Sequence, residues 1–180
     1  VNFKAIQTTG SNSTGILAQA IGGGGFTGST TGNSLTLGGT IAGSSTSNAG
    51  DVKLTNQAVI ITSAGDDNTA GINSAGIIAQ SISSGGGASA TSAGDTIRLG
   101  AISTATGSAN LPTTQSGDVT VNNTGIISTT SVGSAGLIAQ SIAAGGGYVS
   151  QTGENTEYQV TFGSNGGFNA AAGDVTVFNT

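Results

Sequence analysis

The side chains best suited to bind a metal ion or transfer protons are the eight Asp and Glu residues, because the chain has no His and no Cys. Asp51, Asp118 and Asp174 each follow a glycine and precede a valine. A calcium-binding β-roll needs the nonapeptide Gly-Gly-x-Gly-x-Asp-x-apolar-x in tandem, whereas these three residues lie far apart in the chain. We therefore interpret them as turn residues whose carboxylates accept backbone N–H groups.

The other candidate motifs predict no enzyme, no cofactor and no metal site. Paired acid–base catalysis needs two carboxylates held close together, but Glu154, Glu157 and the Gly-Asp residues are spread along the sequence. Only Asp66-Asp67-Asn68 suggests a weak surface cation site. Residues 23–28 match the dinucleotide-binding pattern Gly-x-Gly-x-x-Gly, yet no helical pattern follows them.

Composition excludes several classes of partner. The chain has 33 Gly, 6% charged residues and a formal net charge of −5, and its basic residues are Lys4, Lys53 and Arg98. So few cations cannot neutralise a phosphate backbone or an anionic membrane surface. The longest apolar runs, such as residues 58–61, are too short to span a bilayer. Regularly placed Val and Ile clusters argue against a disordered chain.

Three sequence blocks recur in fixed order, about 60 residues apart. Gly-Ile/Leu-x-Ala-Gln-Ala/Ser-Ile occupies 15–21, 76–82 and 136–142, and a glycine run follows each copy. Gly-Asp-Val-x-Leu/Val occupies 50–54, 117–121 and 173–177, and an apolar-x-apolar-Gly block occupies 35–38, 97–100 and 160–163. We predict one domain, 1–180, of three repeats at approximately 1–53, 54–120 and 121–176.

The local pattern predicts an all-β fold. Segments such as Val119-Thr120-Val121 alternate apolar and polar residues, which is typical of strands, and turn-forming residues bound each segment. Short strands, glycine-rich corners and a fixed repeat favour a parallel β-helix, or β-solenoid. We expect one three-sided coil from 117 to 136 and one or two more in the rest of each repeat. This predicts about 6–9 coils and about 30–45 Å of rod.

The apolar residues at equivalent positions of the repeats should form the structural rungs of the stack. These are Ile16, Leu17, Ile21, Ile77, Ile78, Ile82, Val119, Val121, Ile126, Leu137, Ile138 and Ile142. Val119, Val121, Ile126 and Ile142 should point inward. The doublets 77–78 and 137–138 break strict alternation, so either member could face inward. A lateral sheet or a partner chain could cover the other.

Gln19, Gln80 and Gln140 occupy one position of the repeat. Stacked amide ladders stabilise cross-β arrays, but two or three coils per repeat would place these residues about 10–15 Å apart. We therefore expect each glutamine to bond to nearby corner backbone and not to another glutamine.

Gly-Asp-Val-Thr-Val-Asn-Asn-Thr-Gly-Ile-Ile (117–127) and Gly-Ile-Ile-Ala-Gln-Ser-Ile (76–82) resemble the repeats of giant bacterial surface proteins. The similarity is to autotransporter passenger regions and filamentous-haemagglutinin-like adhesins, and it covers essentially the whole chain. It implies a right-handed β-helix displayed outside the cell and supplies no catalytic residues. Because the sequence starts and stops at the same phase of the repeat, we expect an uncapped fragment of a longer array.

Three functions follow as hypotheses. The first is a structural or adhesive extracellular stalk of a large bacterial surface or secreted protein, which contacts a host or neighbouring cell surface. The alternative is a subunit of a self-assembling extracellular filament, such as a sheath or biofilm fibre, with end-to-end or lateral self-association. A carbohydrate-binding or polysaccharide-cleaving β-helix is the third. None of the three requires nucleic acid or membrane insertion by this segment.

Overall fold

The computed structural model describes residues 1–10, 13–23, 25–29, 34–38, 40–42, 44–63, 74–91, 96–100, 102–105, 110–130, 133–151, 159–162 and 166–180. The cation candidate Asp66-Asp67-Asn68 lies outside the described residues, as do Glu154, Glu157 and Gly24 of the glycine-rich pattern. The described part of the chain contains no α-helix, so the predicted all-β fold is confirmed there.

The strands fall into three successive layers. The first layer comprises β1 (Ile6–Thr9), β2 (Ile16–Ile21), β3 (Gly25–Ser29), β4 (Ser34–Leu37), β5 (Thr40–Ile41), β6 (Thr46–Asn48) and β7 (Val52–Asn56). The second comprises β8 (Ile60–Ser63), β9 (Ile77–Ile82), β10 (Gly86–Thr91), β11 (Thr96–Leu99), β12 (Ile102–Ser103), β13 (Thr113–Gln115) and β14 (Val119–Asn123). The third comprises β15 (Ile127–Thr129), β16 (Leu137–Ile142), β17 (Gly146–Gln151), β18 (Gln159–Phe162), β19 (Asn169–Ala171) and β20 (Val175–Asn179).

Each sheet takes one strand from each layer, and every pairing is parallel. The three-stranded sheets are β1-β8-β15, β2-β9-β16, β3-β10-β17, β4-β11-β18, β6-β13-β19 and β7-β14-β20, and β5 pairs with β12. The register follows the sequence repeat, since Ile16 pairs with Ile77 and Ile77 pairs with Leu137. Blocks that align in the sequence therefore stack directly on one another, and the prediction of parallel stacked strands is confirmed.

No two described strands of one layer share a sheet. Two or three stacked coils per repeat would give the opposite arrangement, with strands of the same repeat paired to each other. The described strands between β9 and β14, namely β10, β11, β12 and β13, each pair only with equivalent strands of the other layers. Three layers at one strand spacing correspond to about 10–15 Å along the axis.

A narrow apolar core lies between the sheets β7-β14-β20, β1-β8-β15 and β2-β9-β16. Its buried members are Val52, Leu54, Ile60, Ile77, Ala79, Val119 and Val121. Ile6, Ile16, Ala18, Ala20, Ile127, Leu137 and Ala139 pack against them. The small residues keep the core narrow, and the predicted inward orientation of Val119 and Val121 agrees with their complete burial.

Two of the predicted inward residues do not face this core. Ile126 is 67% exposed, and Ile127 packs against the core in its place because Ile127 is in register with buried Ile60. Ile142 lies on the opposite face of β16 from Leu137, since side chains alternate along a strand. A Cβ added to Gly146 would lie 3.1 Å from Ile142 Cγ2, so Ile142 packs under the turn that leads into β17.

The second residue of each doublet is covered by the sheet β3-β10-β17, which we call the lateral sheet. A lateral sheet was one of the two arrangements that the sequence left open. Ile77 faces the core, while Ile78 clusters with Ala75, Ile138 and the β17 residue Tyr148. Ile82 lies on the same face as Ile78 and is also fully buried. The β2-β9-β16 sheet is thus packed on both faces, which accounts for its apolar sequence.

The glycine run allows the lateral sheet to approach this closely. Gly86 has φ 154° and Gly146 has φ 151°, backbone conformations that residues with a side chain rarely adopt. A Cβ on Gly86 would lie 2.2 Å from the carbonyl oxygen of Gly146 and 3.0 Å from Ile82 Cγ2. Glycine is therefore required where β10 turns back over β9.

Candidate functional site

The described residues contain no group of three or more His, Cys, Asp or Glu side chains that could hold a metal ion. Their polar side chains instead form columns that run from layer to layer. Columns of Asp, Asn, Gln and Ser hydrogen-bond each repeat to the next. These columns form the candidate functional site, because each side chain bonds to the equivalent residue of the adjacent layer and so fixes the register between layers.

The three Gly-Asp residues form an exposed column at one corner. Oδ1 of Asp51 accepts the backbone N–H of Asp118 at 2.9 Å, and Oδ1 of Asp118 accepts the backbone N–H of Asp174 at 2.9 Å. The carboxylates bind backbone N–H groups, as expected for turn residues. The donor, however, belongs to the next repeat and not to the same turn.

The close contact between layers explains why a glycine precedes the aspartate at Gly117 and Gly173. A Cβ added to Gly117 would lie 2.5 Å from Asp51 Oδ1 and 2.5 Å from the carbonyl carbon of Gly50. A Cβ on Gly173 would similarly lie 2.5 Å from the carbonyl carbon of Gly117. The pair thus combines a backbone that can approach its neighbour closely with a carboxylate that bonds across the layers.

An asparagine ladder, missed in the sequence, runs along the end of the β7-β14-β20 sheet. Asn2 Nδ2 donates to Asn56 Oδ1 at 2.8 Å, Asn56 Nδ2 to Asn123 Oδ1 at 2.6 Å, and Asn123 Nδ2 to Asn179 Oδ1 at 2.7 Å. Asn56 and Asn123 are buried. The signal was available, because an asparagine closes each strand that starts with the Gly-Asp block.

The same asparagines also close the turn that follows. Asn56 Nδ2 donates to the carbonyl oxygen of Ala58 at 2.8 Å, and Asn123 Nδ2 donates to that of Gly125 at 2.7 Å. Each buried amide therefore uses both N–H groups, one within its turn and one toward the next layer. This pairing is required because an unpaired buried amide is destabilising.

The expectation that the glutamines cannot touch one another is wrong. Gln19 Nε2 donates to Gln80 Oε1 at 2.7 Å, and Gln80 Nε2 donates to Gln140 Oε1 at 2.6 Å. The three residues are adjacent because equivalent strands are one strand spacing apart, not two or three. Gln80 is fully buried, on the strand face that the lateral sheet covers.

Two serines join the lateral excursion back to the coil. Ser81 Oγ donates to Gly50 O at 2.9 Å and accepts the N–H of Gly117 at 2.8 Å. Ser141 Oγ bonds in the same way to Gly117 O and the N–H of Gly173, both at 2.9 Å. Each serine therefore bonds to the glycine that precedes the last strand of its own layer and to the equivalent glycine of the layer before.

The described residues also include a shallow depression and a partly buried tyrosine. A shallow depression of about 430 Å³ is lined by small neutral residues, namely Gly23, Thr40, Ile41, Ala42, Ser45, Thr46 and Ser47. That lining offers neither an aromatic face nor a charge for a sugar. Burial raises the pKa of Tyr148 above its usual value of 10.0, which reflects packing against the Ile78 cluster.

Comparison with known proteins adds no relative. No protein-family model, no curated protein and no solved structure matches the chain. The described residues also include no helix that is long and apolar enough to cross a membrane.

Proposed function

We propose that the chain is a structural or adhesive segment of an extracellular β-helical stalk belonging to a large bacterial surface or secreted protein. In this proposal each repeat forms one coil of a right-handed solenoid, and the lateral sheets widen the coil. The stalk would hold an adhesive region away from the cell and would contact a host or neighbouring cell surface.

The observation that carries this proposal is the ladder formed by Asn2, Asn56, Asn123 and Asn179, whose 2.6–2.8 Å bonds repeat from layer to layer. Each layer bonds to the following layer through the same groups, namely an asparagine amide, an aspartate carboxylate and a strand edge. Such a stack lengthens by about 4.8 Å with each repeat and keeps its cross-section. Those are the mechanical requirements of a stalk.

Tandem fusions test the rod geometry. Copies should be joined from Thr180 to Lys4, because this keeps the Asn-to-Ile spacing of Asn56–Ile60 and Asn123–Ile127 across the junction. Small-angle X-ray scattering of four, eight and twelve copies, which are long enough for the axis to exceed the width, should give a constant cross-section and a length that grows by about 15 Å per copy. A maximum dimension that grows only as the cube root of mass would contradict the rod.

Surface display requires a separate test. Antibodies raised against this chain should label intact cells of the source organism, and external protease should remove the label. A cytoplasmic marker protein provides the matched control for cell integrity. Labelling that appears only after lysis would refute the extracellular proposal and leave the rod geometry untouched.

A filament subunit is the second candidate, because the contact between layers repeats itself: Gln19 donates to Gln80 as Gln80 donates to Gln140. A contact that repeats in this way can also join separate chains end to end.

A further inference from the structure

We propose that the stack is extensible under load: when it is pulled along its axis, it unravels one whole layer at a time, and each layer refolds onto its neighbour when the load falls. The inference rests on the proposed stalk only in that a stalk carries load between its two ends. The extension itself is a property of the contacts between layers, so it can be measured on the purified protein.

Among the described strands, a layer has no strand pairing of its own. Every strand hydrogen-bonds to equivalent strands of other layers, and no two strands of one layer share a sheet. This holds outside the coil as well, where β10 pairs with β3 and β17, and β13 pairs with β6 and β19. The stability of a repeat protein divides into an intrinsic term for each repeat and an interface term between neighbours. All of the described strand pairing here belongs to the interface term.

Buried polar side chains strengthen the same interface. Asn123 donates to Asn179 at 2.7 Å, and Gln80 donates to Gln140 at 2.6 Å. Both bonds join the second layer to the third, and both donors are buried. A third layer that detached only in part would leave one of these amides buried without its partner, which is unfavourable. The layer should therefore separate as one unit.

The lateral excursion of the second layer, residues 83–116, is tied to its coil by Ser81. The hydroxyl of Ser81 accepts the N–H of Gly117, 36 residues further along the chain, at 2.8 Å. The same hydroxyl donates to Gly50 O of the first layer at 2.9 Å. One side chain thus holds the start of the excursion, its end and the neighbouring layer. We therefore expect the excursion and the coil to detach together.

The direction of the bonds between layers determines how they respond to load. These bonds run along the stacking axis, so a pull along the axis loads those nearest the point of attachment first and breaks them in succession. The chain passes between layers at one corner, from Asn56 to Ile60 and from Asn123 to Ile127, and these residues are in register. The pull therefore enters each layer at its first or last strand and peels that layer from its neighbour.

Each layer that unravels releases a long piece of chain. Successive asparagines of the ladder are 54, 67 and 56 residues apart. An extended chain spans about 3.4 Å per residue, so the three layers should lengthen by about 180, 220 and 190 Å. A folded layer occupies about 4.8 Å of the axis, so each event lengthens its part of the stalk about fortyfold. The other layers keep their contacts meanwhile.

Optical tweezers test the proposal on four tandem copies of the full chain, joined from Thr180 to Lys4 and held by an enzymatically ligated tag at each end. Far-UV circular dichroism should first show that the fusion is folded. Under slow pulling, we expect each copy to give one release of 67 residues and two shorter releases of 54 and 56 residues. On relaxation the steps should reverse one by one, because each refolding layer uses its neighbour as a template.

The double variant Thr120→Cys/Thr176→Cys is the matched control. The two positions are register partners in adjacent layers and, like Asn123 and Asn179, are 56 residues apart. Neighbouring strands lie about 4.8 Å apart, which suits a disulfide, and the natural chain has no cysteine to interfere. In the oxidised variant the 56-residue release should disappear, since the bond closes that loop. A reducing agent should restore it, and the other releases should keep their size.

Unfolding of several copies in a single event would overturn the proposal, because the layer would then not be the unit. Steps of about 120 Å, the length of the 36 residues between Ser81 and Gly117, would also overturn it, since the excursion would unravel without its coil. So would a 56-residue release that persists in the oxidised variant, or steps that do not reverse on relaxation. All of these outcomes leave the rod geometry and the cell-surface labelling untouched, so the stalk proposal is tested separately.

Discussion

The side-chain amide of Asn56 donates a 2.6 Å hydrogen bond to Oδ1 of Asn123, although the two residues are 67 positions apart in the chain. Both residues are buried, and each also closes its own turn. The contact joins two consecutive repeats at a place where no water can replace a lost partner. The following predictions are based on contacts of this kind.

Asn123→Ala should lower the free energy of unfolding by about 3 kcal/mol, because it leaves the amide of Asn56 without its acceptor and Asn179 without its donor. Asn122→Ala is the matched control, since Asn122 is exposed and should change stability by less than about 0.5 kcal/mol. Urea denaturation followed by circular dichroism measures both variants. Equal effects at the two positions would show that the ladder contributes nothing beyond its neighbours.

Gln80→Leu should destabilise the chain by about 1–3 kcal/mol, because Gln19 loses its acceptor and Gln140 loses its donor. The triple variant Gln19→Leu/Gln80→Leu/Gln140→Leu removes every member and leaves no unpaired amide in the column. It should therefore be at least as stable as the single variant. Chemical denaturation of all three single variants and the triple variant tests this, and additive losses would contradict a ladder.

Ile77→Ala should cost about 2–5 kcal/mol, since Ile77 is fully buried in the narrow core. Ile126→Ala should change stability by less than about 0.5 kcal/mol, because that side chain lies outside the core. The pair separates the two faces of the coil in one thermal or urea unfolding experiment. A large loss at Ile126 would mean that a further surface covers this residue in solution.

The stability of the chain should fall as pH rises above about 10, the unfolded pKa of tyrosine. Burial raises the pKa of Tyr148 in the folded chain, so the unfolded state loses its proton first and is favoured by rising pH. The stabilisation is present below the unfolded pKa and is lost as pH rises through the folded one. Tyr148→Phe should flatten this dependence in melts across the alkaline range, and an unchanged slope would exclude the residue.

Much of the fold could be predicted from the sequence because three short blocks recur in the same order in each repeat. Equal patterns form equal strands, and equal strands pair most easily in register, as Ile16, Ile77 and Leu137 do. The same logic predicted the burial of Val119 and Val121, which lie in an alternating strand. The role of the Gly-Asp residues in binding backbone N–H groups was also visible as a turn signal.

The missed features depend on which strand lies beside which. The number of apolar groups in a repeat does not reveal whether a second group lies above the first or beside it. We therefore expected several coils per repeat and excluded contact between Gln80 and Gln140. The inward orientation of Ile126 and Ile142 failed for a related reason, since both lie next to turns where a shift of one residue reverses the face.

The sequence by itself determined that this protein has short strands bounded by turn residues and three repeats with a fixed order of blocks. Only the tertiary structure decided that one repeat advances the stack by one strand. That decision places the asparagines and glutamines within hydrogen-bonding distance and buries the second isoleucine of each doublet under a lateral sheet. The physical reason is that several ways of stacking the strands would satisfy the backbone hydrogen bonds equally well. The contacts that distinguish them are made by side chains far apart in the sequence, which come together only in the folded chain.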